Sequence, residues 1–442
     1  MFRREAEAAS ASARRELQGR RLHELVQRLA GSRSDFWRER LDGIQPASIR
    51  SLEDLGSLPF TLKSDLRDTY PWGMLAVPRS LAVRAHASSG TSGKPTIVAY
   101  TSQDIGVWSE VVARSLVCAG ARADDVLHVA YGYGLFTGGL GLHYGGEKLG
   151  ATVVPASGGN TDLQLRLLSD LGAHGLACTP SFAMLLAEKA HAEGLAGLQV
   201  RYLVCGAEPW SEGFRTKLEA AWTEVTDHEV IARDIYGLSE VIGPGVAMEC
   251  AESPGNLHVF DDHFLPEVLD PETGKRVPDG ERGELVLTTL TKEALPVIRY
   301  RTGDITSLTR GTCRCGRTHP RIARIEGRTD DMLIIRGVNV FPREIETVLL
   351  ESEALNGAYA IVVDRRETMA RLDIHAEVAG STLPEGLDEH LRDVLARRLR
   401  VNPRVTLHPE DTLPRTAVGK VKRVFERVDD TDPLGLPDRG ER

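Results

Sequence analysis

VLHVAYGYG at 126–134, ATVVPASGG at 151–159, GLACTPS at 175–181 and VRYLVCGAEP at 200–209 are the stretches that decide the fold. Each opens on a short apolar run and closes in a Gly, Pro or Ser turn, the pattern of a buried strand running into a loop. Between them, DLQLRLLSDLGAH (162–174) and FAMLLAEKAHAEG (182–194) carry apolar residues at helical spacing. Strands alternating with helices predict an α/β architecture with a mostly parallel sheet from about residue 80 to 245. Ligands of such sheets lie beyond the carboxyl ends of the strands, where these Gly, Pro and Ser turns fall.

The texture changes on the C-terminal side. NLHVF, FLPEVLD, GELVLTTL and DITSL, joined by PETGK and PDGERG, predict an antiparallel β subdomain over about 255–325. Beyond Arg328, DDMLIIRGVNVFP reads as strand–turn–strand, REIETVLLESEAL (343–355) as an amphipathic helix, AYAIVVDRR and RLDIHAEV as strands, and LDEHLRDVLARRLR as a helix. The expected organisation is a large N-terminal domain over 1–328, a small α+β domain over 329–430 and a polar, Pro/Gly-rich, disordered tail over 431–442. At the N-terminus, Leu22, Leu25, Val26 and Leu29 mark an amphipathic helix. Glu5, Glu7, Glu16 and Glu24 argue against a transit peptide, and no apolar signal-peptide core is present.

A hydrophobic fraction of 41%, a charged fraction of 26% and a length of 442 residues fit a globular protein with a large core. No apolar run approaches the ~20 residues of a membrane-spanning helix. The formal net charge of −9 argues against a nucleic-acid binder with a general basic surface. The expectation is a cytoplasmic protein without a membrane or nucleic-acid partner, and a homodimer is left open. In such a compartment the six cysteines do not suggest a disulfide framework.

Chemistry concentrates in a few motifs. His86-Ala-Ser-Ser-Gly-Thr-Ser-Gly-Lys-Pro95 offers small residues, hydroxyls and one ammonium, which suit an anion held by backbone N–H groups. It is not a Walker loop, because Ser88 stands where the first glycine belongs and Lys94 precedes Pro95. AYGYGLFTGG invites a dinucleotide reading, but Thr137 stands where the third glycine would be. Cys250, His258, Cys313 and Cys315 make a Cys3His set suited to tetrahedral, structural Zn²⁺, with His263 and His319 as competing ligands. The plainer alternative is a group of reduced cysteines near a surface loop.

Four further motifs follow the Ser/Gly loop in order: Asp234-Ile-Tyr-Gly-Leu-Ser-Glu240, Tyr300-Arg-Thr-Gly-Asp304, Glu326-Gly-Arg-Thr-Asp-Asp331 and Pro414-Arg-Thr-Ala-Val-Gly-Lys420. Together they resemble the adenylate-forming superfamily. AYGYGLFTGGLGLHYG, GAEPW, GPGVAMEC, LTKEALPVIRYRTGD, CRCGRTHPRI and DDMLIIRGVNVFP resemble its phenylacetate–CoA ligases and related aryl-CoA ligases in particular. The likeness runs from about residue 20 to 425. One departure is Ser92, where the family loop usually has Thr. The hydroxyl is kept.

The resemblance implies a role for each motif. Ser89, Gly90, Thr91, Ser92, Gly93 and Lys94 would hold the β- and γ-phosphates of ATP. Gly206, Ala207, Glu208 and Pro209 would line the nucleotide pocket with Asp234, Gly237 and Arg328, and Tyr236 would stack on adenine. Ser239 would donate to the α-phosphate, Glu240 would help hold Mg²⁺, and Asp304 would accept from the ribose hydroxyls. Tyr131, Tyr133, Phe136 and Gly138 would line the acyl pocket, although packed core aromatics are an equal reading of that stretch. Lys420 would supply the key cation of adenylation from a mobile small domain, Asp330 the hinge, and Gly337 a turn facing the coenzyme A channel. Some relatives carry zinc on a set like the Cys3His one.

The expected reaction joins an aromatic acid to AMP and then passes the acyl group to coenzyme A. Two other outcomes stay open: delivery of the acyl group to a carrier protein or an amine, and a non-catalytic nucleotide-binding sensor. Lys420, Glu240 and Asp304 are all in place, which speaks against the sensor.

Overall fold

The computed structural model describes residues 1–88, 95–208, 210–329, 333–336, 338–352, 354–366, 370–414 and 423–436. The chain forms two compact units, one made of Met1–Glu208 with Leu218–Ile325, the other of Pro209–Lys217 with Glu326–Arg442.

In the first unit, the N-terminal helix Ala11–Ala30 is capped by Ser10, whose hydroxyl accepts from the Ala13 N–H. Leu22, Leu25, Val26 and Leu29 are fully buried on one face of it and join the main core. At about 1.5–3 kcal/mol for each fully buried side chain of this kind, that face holds the helix to the unit.

Strands β1 (Arg84–Ser88) and β2 (Thr96–Tyr100) pair antiparallel, with Ser88 opposite Thr96. Strands β3 (Val126–Val129), β4 (Thr152–Val154), β5 (Gly175–Cys178), β6 (Tyr202–Cys205) and β7 (Ile231–Leu238) lie side by side in the order β4-β3-β5-β6-β7, all parallel. β5 and β6 are buried along their whole length. Helices Thr161–Asp170 and Pro180–Ala192 follow β4 and β5, as the helical spacing predicts. Short polar caps set their starts, with one proline: Asn160 accepts from Leu163 N, and Thr179 accepts from Phe182 N ahead of Pro180.

β7 leaves the parallel region part-way along. Its residues up to Asp234 pair with β6, and from Ile235 onward it pairs antiparallel with β8 (Ile242–Glu249). The sheet then continues through β9 (Asn256–Val259), β13 (Arg321–Ala323), β12 (Tyr300–Thr309), β11 (Arg282–Thr289) and β10 (Phe264–Leu269), all antiparallel. The antiparallel region therefore starts about twenty residues earlier than the sequence texture suggests. It continues from the parallel half because β7 serves both.

The second unit is α+β. Leu333–Ile335 and Val338–Val340 form a hairpin, followed by helix Pro342–Leu350. Its four-stranded sheet runs Arg404–His408, Arg371–Val378, Leu355–Asp364, Val424–Arg427, with helix Leu387–Leu399 packed in the same core. The helix expected over 343–355 ends at Leu350, and Leu355 instead opens a strand opposite Val378. Leu355 satisfies the helical spacing by its position, yet its burial comes from the sheet. Within the stretch expected to be a disordered tail, Leu434 is buried with Ala360, Val362 and Leu413. Residues 437–442 lie outside the described residues. Among the described residues, no helix is long and apolar enough to cross a membrane.

Candidate active site

In the parallel half, β4 lies on one side of β3 and β5 on the other, so the strand order reverses between β3 and β5. A crevice opens beyond the carboxyl ends at such a point. Tyr131 follows β3, is buried, and donates its hydroxyl to the Gly206 carbonyl after β6 at 3.1 Å. Ser181, in the first turn of the helix after β5, donates to Glu208 Oε2 at 2.6 Å. Glu208 Oε1 is buried with no hydrogen-bond partner among the described residues. Ala207 takes a left-handed conformation at φ 68°. Only glycine fits at 206, because a Cβ there would lie 2.5 Å from the Ile235 carbonyl oxygen. The segment 206–208 is thus pressed against β7.

β7 and the turn from it into β8 carry the next group. The Tyr236 hydroxyl donates to Asp304 Oδ2 at 2.5 Å, joining two motifs 68 residues apart. Asp234 is fixed twice: its N–H donates to the buried Glu249 at 2.8 Å, and its carboxylate meets Arg324 Nε at 3.3 Å. Ser239 Oγ lies 3.5 Å from Thr137 Oγ1, and the Ser239 carbonyl accepts from the buried Tyr100 hydroxyl at 3.3 Å. Glu240 is buried, with the Lys63 ammonium 3.8 Å from its carboxylate. Beneath the turn, the fully buried Lys292 donates to the carbonyls of Glu240 at 3.0 Å and Val241 at 2.8 Å. Burial lowers this ammonium to about 8, although Asp104 and Glu240 oppose the shift.

In the aromatic stretch, the Tyr131 and Phe136 rings are 6.5 Å apart, and Phe136 is 40% exposed. The Tyr133 hydroxyl lies 3.4 Å from His143 Nδ1. The space left by the missing Gly138 side chain is filled by the Phe136 ring, whose Cε1 would lie 2.4 Å from a Cβ. Gly237, likewise, abuts the β8 backbone. His86, at the head of the Ser/Gly loop, packs edge-on against Tyr100 and Trp108, and burial lowers its pKa. Arg328 falls in the second unit. Residues 89–94, Pro209, Asp330, Gly337 and Lys420 lie outside the described residues.

Cys250, His258, Cys313 and Cys315 place their ligand atoms within 4.8 Å of one another. Cys250 Sγ is 3.8 Å from Cys313 Sγ, and His258 Nε2 is 3.4 Å from Cys250 Sγ and 3.5 Å from Cys315 Sγ. A tetrahedron with Zn–S of about 2.3 Å and Zn–N of about 2.05 Å has S–S and S–N edges of roughly 3.8 and 3.6 Å. The donor set and its spacing therefore fit Zn²⁺. Burial raises the Cys313 thiol to about 11 and drops His258 to about 3. The competing histidines are engaged elsewhere. His319 bridges Asp261 at 2.6 Å and Arg114 at 2.9 Å, and His263 meets Thr291 at 2.7 Å. Arg114 and Asp262 form a buried two-bond pair beside them.

The AMP-binding enzyme family matches residues 84–290, and the AMP-binding enzyme C-terminal domain matches 337–427. The chain is 48% identical to a phenylacetate–coenzyme A ligase of Thermus thermophilus, over 96% of this chain and 99% of that one. The chain belongs to the phenylacetate–coenzyme A ligase family. A second member, from Escherichia coli strain K12, is 46% identical over 88% of this chain and 90% of that one. Among solved structures, the chain is similar to a 2-hydroxyisobutyryl-CoA ligase in the postadenylation state with an acyl-AMP. The TM-score is 0.87 at 28% identity, covering 96% of this chain and 91% of that one. Within this family fold, the motifs do not single out Lys292, Tyr100 or Ser181, and they mark Thr137 only as the residue that breaks a dinucleotide pattern. Lys292 does sit inside LTKEALPVIRYRTGD, but nothing in a linear sequence shows where its ammonium goes.

Proposed function

We propose that this chain activates a small aromatic carboxylic acid, of the phenylacetate or benzoate kind, with ATP and transfers the acyl group to coenzyme A. The near full-length identity to phenylacetate–coenzyme A ligases carries this reading. An ionised carboxylate attacks the ATP α-phosphorus, forming an acyl-AMP anhydride and releasing pyrophosphate. No general base is needed, so the protein supplies positioning and charge. The coenzyme A thiolate then attacks the acyl carbonyl and AMP leaves with the anhydride's bond electrons.

In this account Tyr236 and Asp304 hold the nucleoside, with their mutual hydrogen bond fixing both before ATP arrives. Ser239 faces the α-phosphate. Glu240, a buried carboxylate with the partly exposed Lys63 ammonium 3.8 Å away, suits Mg²⁺. The 89–94 loop and Lys420 bring cations and N–H donors to the phosphates. The acyl group lies against Tyr131 and Phe136. The residues after Arg328 act as a lid that presents different faces in the two steps, with Asp330 as its hinge and Gly337 at the coenzyme A channel. Zn²⁺ on Cys250, His258, Cys313 and Cys315 would be structural, since four protein ligands leave no open position.

The substrate class is tested with a panel of acids in a coupled AMP-release assay. An arylacetate or benzoate should give the highest kcat/KM. A medium-chain fatty acid outperforming every aromatic acid tried would overturn the pocket assignment.

A further inference from the structure

Lys292 is a buried cation for which the two-step chemistry has no use. It sits in the loop between β11 and β12, only 2% exposed. That loop is held hard in place. The buried Asp104 carboxylate accepts from the backbone N–H of Glu293 at 2.6 Å and of Ala294 at 2.9 Å, and Arg28 donates to the Lys292 carbonyl at 2.8 Å. The Thr101 hydroxyl donates to Glu293 at 2.8 Å. From this fixed base the ammonium reaches the far side of the β7–β8 turn.

An ammonium has three N–H donors. Two go to the carbonyls of Glu240 and Val241, and the third side of the group faces the Tyr100 ring, with Nζ 4.8 Å from its centroid. Tyr100 in turn donates to the Ser239 carbonyl. Three consecutive carbonyls, of Ser239, Glu240 and Val241, are thus drawn to one side of the turn by two buried side chains from other elements. Burying a lysine is costly, and a neutral side chain of similar length would fill the space without that cost. A buried charge placed on the backbone of Ser239–Val241 therefore points to a task in aiming that turn.

We propose that Lys292 is a positioning residue for adenylation: it clamps the Ser239–Glu240 turn so that the Glu240 carboxylate and Ser239 hydroxyl meet the metal-bound triphosphate. This rests on the reading of Glu240 as the Mg²⁺ residue.

The test is a double-mutant cycle of Lys292→Met and Glu240→Gln, read by acid-dependent pyrophosphate exchange across a Mg²⁺ titration, beside thioester formation from supplied acyl-adenylate. Lys292→Met should slow exchange by about tenfold or more and raise the Mg²⁺ concentration needed for half-maximal rate. Thioester formation should change by less than about threefold, and Lys292→Met should add little when Glu240 is already Gln. Equal losses in both half-reactions, or a fully additive cycle, would overturn the proposal, because a merely structural lysine acts that way. If Glu240→Gln alone leaves exchange unchanged, the Glu240 assignment fails and takes the inference with it. Should Lys292→Met fail to fold, Lys292→Gln, which keeps an N–H donor without the charge, enters the same cycle.

Discussion

At the scale of single residues, the site depends on groups whose surroundings set their charge. Lys292 is the sharpest case. Its folded value of about 8 lies below the ordinary lysine value of 10.5. Between those two pH values the unfolded chain binds the extra proton and the folded chain does not, so stability rises with pH there. Below about 8 the cost of the buried charge is fully present. Denaturant melts from pH 7.5 to 10 should show this rise in the wild type and a smaller one in Lys292→Met. Parallel curves would contradict it. Such residues were not legible in the sequence, because partners such as Glu240 and Lys292 lie 52 positions apart with no shared motif. The motifs mark Tyr236 and Asp304 separately, and the resemblance implies adenine and ribose as their partners. The hydrogen bond between them is what the structure adds. Residues 89–94 and Lys420, read most easily from sequence, lie outside the described residues.

At the scale of elements, β8, β9 and the loop after β12 meet at the four zinc-type ligands, while the other end of β8 follows Glu240 and β12 carries Asp304. A metal there would fasten the base of the elements that present the residues proposed to hold the nucleotide. The expected result is about one zinc per chain after chelator washing, lost in Cys313→Ser together with a lower Tm. Less than about a tenth of a zinc per chain in the wild type by elemental analysis would remove the metal from the account. The cluster was legible because ligand types and short spacings survive in a linear reading. Strands were legible where apolar runs end in turns, as at β5 and β6. The departure of β7 from the parallel half was not, since pairing partners are set by the whole sheet rather than by the strand's own pattern. The helix end at Leu350 was missed for the related reason that Leu355 fits either periodicity.

At the scale of the whole molecule, the proposed reaction has two half-reactions that would use the residues beyond Arg328 in two ways. Lys420→Ala should lower acid-dependent pyrophosphate exchange by about 10²–10³ and spare thioester formation from supplied acyl-adenylate. Asp330→Pro should do the reverse, by fixing the backbone at the proposed hinge. Equal losses in both steps for Lys420→Ala would defeat that division. The most direct test of the central claim uses the wild-type chain with phenylacetate, ATP and Mg²⁺, measuring pyrophosphate exchange without coenzyme A and AMP release with and without it. The expected result is acid-dependent exchange in the absence of coenzyme A and a large acceleration of AMP release, with matching acyl-CoA, when it is added. Acid-dependent exchange with no acceleration of AMP release by coenzyme A would make another acceptor the true one, and no acid-dependent exchange with any aromatic acid would contradict the proposed function outright.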